Sequence, residues 1–135
     1  MTSKVTYLGD LRTSSVHLQS GSKIISDAPL DNNGKGEAFS PTDTVANALA
    51  SCMFTIMGIK ARDMEIDLAG STASVTKIMG IEPRRIIEIR IVFDMNILPD
   101  DKTKTILERA ALTCPVFYSL HPDIKKDVIF NWKLL

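Results

Sequence analysis

The chain has 135 residues, with Lys plus Arg and Asp plus Glu both totalling 16, so its formal net charge is zero. That balance supplies no long-range attraction to nucleic acid or to an anionic membrane, and neither is expected as a partner. A chain of this length with no long Pro/Gly/Ser linker is most simply one domain, residues 1–135, able to bury roughly two thirds of its unfolded surface.

The N-terminal stretch MTSKVTYLGDLRTSS lacks the apolar core of a signal peptide. No run of about 18 apolar residues stands out as a bilayer span, so a soluble cytoplasmic protein is expected. In that reducing compartment a lasting structural disulfide is disfavoured. The two cysteines, Cys52 and Cys114, are then either reduced and buried or cycle during a reaction.

In chain order, Val5 to Leu8 and Arg12 to Leu18 predict two short strands joined at Gly9-Asp10, and Lys23 to Ser26 can extend their sheet. Residues 27–38 (DAPLDNNGKGEA) are a loop. Its Gly34-Lys35-Gly36 lacks the GxxxxGK[ST] spacing of a phosphate loop, which leaves a mobile connection as the simpler reading.

The segment FSPTDTVANALASC, residues 39–52, opens a helix with a strong start signal. Ser40 suits the N-cap, Pro41 the first helical position, and Asp43 can complete a short-armed capping box. A helix from Pro41 to about Asp63 puts Cys52 about three turns in. Val45, Ala46, Ala48, Leu49, Ala50, Cys52, Met53, Phe54, Ile56, Met57, Ile59 and Ala61 cover most of its circumference, while Asn47, Ser51, Thr55, Gly58 and Arg62 form one narrow stripe. A helix apolar on nearly all sides must be covered on nearly all sides. One small sheet covers one face, which points to a homodimer with this helix near the interface. The alternative is that the polar stripe is the solvent face of a monomer's central helix.

After Gly70, Thr72 to Ile78 predicts a strand that turns around Glu82-Pro83 into Arg85 to Met95. There Ile87, Ile89, Ile91, Phe93 and Met95 alternate with Glu88, Arg90 and Asp94, the pattern of an antiparallel hairpin with one buried face. Pro99-Asp100-Asp101 opens a second helix, with Ile106, Leu107, Ala110, Ala111 and Cys114 on its apolar side. Pro115 can start a short helix to about Leu120, and Val128 to Leu134 closes the chain as a strand. The class is α+β, and both cysteines fall on core-facing helix surfaces where they can meet.

By helix-dipole reasoning alone Cys114 is the more acidic thiol, since it caps a Pro-started turn while Cys52 lies mid-helix. Cys52 would need a cation, for which Arg12 is the candidate, with His17 further along the strand; by composition alone Arg12 reads more simply as a surface strand residue. Cys52, Cys114, His17 and His121 have no short chelating spacing, so no metal is expected. No nucleophile elbow supports Ser-His-Asp hydrolysis.

SPTDTVANALASCM, followed about sixty positions later by CPVFYSL, resembles the OsmC/Ohr family of osmotically inducible and organic hydroperoxide resistance proteins, and the likeness runs from Leu11-Arg12 to the last strand. It implies an OsmC-like fold, with antiparallel sheets around two central helices in an intertwined homodimer. It also implies a thiol peroxidase site at the subunit interface that needs no cofactor. By that resemblance Cys52 attacks an organic hydroperoxide and becomes a sulfenic acid, Cys114 condenses with it to a disulfide, and an external dithiol reduces the pair. Arg12 matches the family's arginine. The family's glutamate directly after the helix-opening proline is here Thr42. The nearest carboxylate, Asp43, is the candidate to take its place beside Arg12 in the catalytic set, although it lies about 100° further round the helix and is a methylene shorter. A dimer that binds a small apolar ligand or a protein partner in the same cleft, its thiols idle, is the alternative function.

Overall fold

The computed structural model describes residues 1–134. The elements are β1 (Ser3–Gly9), β2 (Arg12–His17), β3 (Lys23–Asp27), a 3-10 turn (Leu30–Asn32), α1 (Pro41–Asp63), β4 (Thr72–Gly80), β5 (Arg85–Met95), α2 (Asp101–Ala111), α3 (Pro115–Ser119) and β6 (Lys125–Trp132). Two compact units arise, Met1–Val45 and the remainder beginning at Ala46.

In the first unit β1, β2 and β3 form an antiparallel sheet in that order. The β1–β2 turn falls one residue later than the sequence suggests, because Gly9, Asp10 and Leu11 all take positive φ and a register shift follows Tyr7. The loop after β3 folds tightly on itself. A Cβ on Gly34 would lie 1.7 Å from the Ala28 carbonyl oxygen, so the glycine there serves a close backbone approach and not an anion. Ser40 starts α1 as expected: its N–H donates to Asp43 Oδ2 at 3.0 Å, and the Asp43 N–H donates to Ser40 Oγ at 3.0 Å. This reciprocal pair is a capping box closed by an aspartate.

In the second unit, α1 lays Ala46, Leu49, Ala50, Met53, Met57 and Ala61 into the core. These positions recur every three or four residues and face the alternating Ile89, Ile91, Phe93 and Met95 of β5. Phe54 meets Phe93 edge-on with ring centroids 4.8 Å apart, and Phe93 stacks on Phe130 of β6 at 5.1 Å. The polar stripe is real: Asn47, Ser51, Thr55 and Arg62 are exposed. Between stripe and core runs a second apolar row, Ala48, Cys52, Ile56 and Ile59, which the core covers only in part. By length and composition α1 passes as a possible bilayer span, contrary to the sequence expectation, although 33% of the apolar stretch is buried inside the fold. The core helix of a soluble fold passes the same test.

Three details differ from the sequence pattern. A bulge near Ile78 pairs Met79 with Ile86, so Ile86 packs against the core and Ile87 turns outward. Only β4 and β5 are antiparallel in this sheet; β5 and β6 run parallel, because α2 and α3 together form a crossover that returns the chain in the same direction. Finally, β6 begins at Lys125 rather than at Val128, where Lys125 pairs with Glu88 in the ladder.

Candidate functional site

Cys52 and Cys114 belong to the same unit and are brought together. Cys114 reaches the core as the chain leaves α2: Asp100 caps that helix by accepting from the Thr103 N–H, and Leu107 and Ala111 bury its inner face. Cys114 is 0% exposed and belongs to the core cluster, against which Cys52 packs as a half-buried neighbour. Pro115 fixes the start of α3, and Cys114 Sγ accepts the Phe117 N–H at 3.3 Å as its cap. Both thiols are free.

The electrostatics overturn the reading by helix dipole. Burial pushes the Cys114 thiol above its ordinary range; the Phe117 N–H opposes this, and the hydrogen-bonded Cys52 beside it adds to the rise. Desolvation of a fully buried thiolate outweighs one or two backbone donors on a single short turn. Cys114 is therefore a reluctant thiolate.

In the other unit Arg12 is no bare surface residue. Its Nε donates to Asp27 Oδ1 at 2.6 Å and one Nη to Oδ2 at 2.8 Å, and that Nη also donates to Glu37 Oε2 at 3.0 Å. Asp27 is 1% exposed and also accepts the Glu37 N–H at 3.1 Å. The Arg12 hydrogen bonds hold the Asp27 carboxyl below its usual range against the opposing effect of burial, and Asp27 in turn raises Arg12 further. Bidentate arginine–carboxylate pairs fix orientation as well as charge.

Asp43 lies in the capping box of α1, and Thr42 Oγ1 is 3.2 Å from Ser40 Oγ. Asp27 and Glu37 are the two residues that sequence reasoning missed. The β2–β3 pairing of Arg12 with Asp27 was available once a third strand was drawn, whereas Glu37 comes from a loop whose path no pattern specifies. His17 contacts Ser20 Oγ, and His121 Nδ1 accepts the Asp123 N–H. Among the described residues no three His, Cys, Asp or Glu side chains gather as metal ligands would.

Comparison with known proteins gives a consistent picture. A family model described as OsmC-like protein matches residues 34–128. A Psychrobacter arcticus 273-4 protein, described in terms of osmotic stress induction and a detoxification response, is 63% identical over 97% of this chain and 96% of its own, with a TM-score of 0.95. The fold is also shared with an organic hydroperoxide resistance protein OsmC from Legionella pneumophila, at 14% identity, TM-score 0.75, and 97% of each chain covered. A hydroperoxide resistance protein of Vibrio cholerae with captopril in one active site has 17% identity and TM-score 0.74, covering 100% of this chain and 94% of its own. Among curated proteins none matches.

Proposed function

Because the chain belongs to the OsmC-like protein family, we propose that it is a cytoplasmic thiol-dependent peroxidase that reduces organic hydroperoxides as an intertwined homodimer. The Cys52 thiolate attacks the terminal oxygen of the hydroperoxide; the O–O bond breaks, the alkoxide takes a proton and leaves as an alcohol, and Cys52 becomes a sulfenic acid. Cys114 then attacks that sulfur, an S–S bond forms, and water leaves. An external dithiol reduces the disulfide. Arg12, oriented by Asp27 and Glu37, is the cation that favours the thiolate and steadies the departing negative charge.

The observation that carries this reading is the asymmetric contact between a half-buried Cys52 and a fully buried Cys114. Two idle core thiols need neither contact nor unequal exposure. One equivalent of an organic hydroperoxide should convert the reduced protein to a Cys52–Cys114 disulfide. Cys52→Ser should be inert, and Cys114→Ser should stop at sulfenic acid or more oxidised products. Turnover no faster than that of free cysteine would defeat the assignment.

One observation favours the second reading, a ligand-binding dimer. Arg12 bears two carboxylates, so the cluster as a whole is net negative and a poorer support for a thiolate. Peroxide inertness with intact binding of an apolar ligand would select it.

A further inference from the structure

Reduction of a protein disulfide begins with in-line attack on one of its two sulfurs, and that choice decides which residue carries the mixed disulfide and which leaves. Here the two sulfurs are unequal. Cys114 is 0% exposed, enclosed in the same core as Ala111, Val116 and Phe117. Cys52 is half-buried, on the apolar row of α1 with Ala48, Ile56 and Ile59 that the core does not close over. We propose that the external dithiol attacks Cys52 Sγ, with Cys114 as the leaving sulfur, so that the mixed disulfide forms on Cys52 and not on Cys114. The inference rests on the disulfide of the cycle above and specifies its reductive half.

The step balances simply. One thiolate of the dithiol bonds to Cys52 Sγ, the Cys52–Cys114 bond breaks, and its electron pair goes to Cys114 Sγ, which the Phe117 N–H receives at its resting 3.3 Å position. Cys114 then takes up a proton. The second thiol of the reductant, as thiolate, attacks the reductant's own sulfur in the mixed disulfide, releasing Cys52 as thiolate and the reductant as a cyclic disulfide. Two electrons pass from the dithiol to the protein.

A competing effect points the other way. The lower-pKa thiolate leaves faster, and burial raises Cys114. Access decides the contest, because the attacking sulfur must approach along the S–S axis, and a sulfur enclosed in packed side chains offers that approach only if the core opens. Burial has a second consequence. The freed Cys114 sits protonated and attacks back slowly, so a monothiol stalls on Cys52 while a dithiol runs to completion.

The test uses the wild-type chain. The disulfide is made with diamide and treated briefly with N-acetylcysteine, exchange is stopped and free thiols are capped with excess N-ethylmaleimide in mildly acidic guanidinium, and the peptides are read by mass spectrometry. The expected pattern is N-acetylcysteine on Cys52 and N-ethylmaleimide on Cys114, in excess over the reverse on the order of tenfold. The same exchange in denaturing guanidinium should spread the adduct over both sulfurs. Equal labelling in the native protein, adduct mainly on Cys114, or failure of diamide to link the pair would each overturn the inference. Because diamide makes the disulfide, a protein that shows the expected adducts yet ignores hydroperoxides would refute the peroxidase reading alone.

Discussion

Arg12 and Asp27 are paired neighbours across the β2–β3 ladder, and their side chains meet in a two-pronged contact at 2.6 and 2.8 Å. The strand register thus sets the guanidinium's direction, and Glu37 braces it from the following loop. A lysine at position 12 could supply the charge but not the fork.

If this brace orients the cation for the thiol chemistry, Asp27→Asn should slow the hydroperoxide step roughly ten- to a hundredfold, the scale of a misplaced catalytic group. Arg12→Ala should slow it at least as much. Thr42→Glu should change it little, because Arg12 already holds two carboxylates. Stopped-flow oxidation rates of the three variants decide the matter. A large gain from Thr42→Glu would mean that the Asp27–Glu37 brace does not replace the family's glutamate.

The same contact gives an acid-side signature. Asp27 has its folded pKa held below the unfolded value of about 3.9. Its contribution to stability is therefore complete above that value and is lost as pH falls through the folded pKa. Denaturant midpoints measured from pH 6 downward should fall below about pH 4, less steeply in Asp27→Asn. Parallel curves for the two proteins would remove the pair from the acid limb.

Much of this was legible from residue order. Ser40, Pro41 and Asp43 announce the start of α1, and its bounds, Pro41–Asp63, follow from local signals that survive folding. The meeting of Cys52 and Cys114 follows from two apolar helix faces. The parallel β5–β6 pairing was hidden because strand patterning encodes which face is buried and not the direction of a neighbour. The raised Cys114 thiol is hidden from the sequence for a related reason: its cap is local and readable, whereas its desolvation is created by Ala111, Phe117 and the rest of the core.

The core itself can be tested at Met53, fully buried between α1 and β5. Met53→Ala should cost about 2–5 kcal/mol, the range for emptying such a site. Ser40→Ala, which removes one side of the capping box, should cost roughly 1 kcal/mol. Chemical denaturation reads both. A Met53→Ala cost within error of zero would show that the α1–β5 packing is not what holds this unit together.

Burial of Cys114 sets the pH dependence of the resolving step. Because its thiol is raised above the ordinary range, only a small fraction is thiolate near neutrality. Disulfide formation after sulfenic acid should therefore keep accelerating with pH, close to tenfold per unit, past the usual cysteine value of about 8.5. Trp132, stacked on Phe130, provides a fluorescence reporter in the same unit. A plateau below pH 8 would mean that Cys114 ionises readily and that burial does not govern it.

Assembly gives the broadest prediction. Among the described residues of the first unit only Asp27 and Ser40 are buried, so its sheet has no apolar core of its own. Val5 pairs with Ser15 and Ser15 with Ile24, which places Val5 and Ile24 on one face together with Tyr7, at 61, 59 and 64% exposure. Three such side chains on one small sheet call for another surface, and a second copy of the chain is the simplest supplier. The protein should sediment as a dimer at micromolar concentration, and Ile24→Lys should weaken the dimer by placing a charge on the face to be buried. A compact monomer with full helical content in the wild type would overturn the dimer and, with it, any interfacial site.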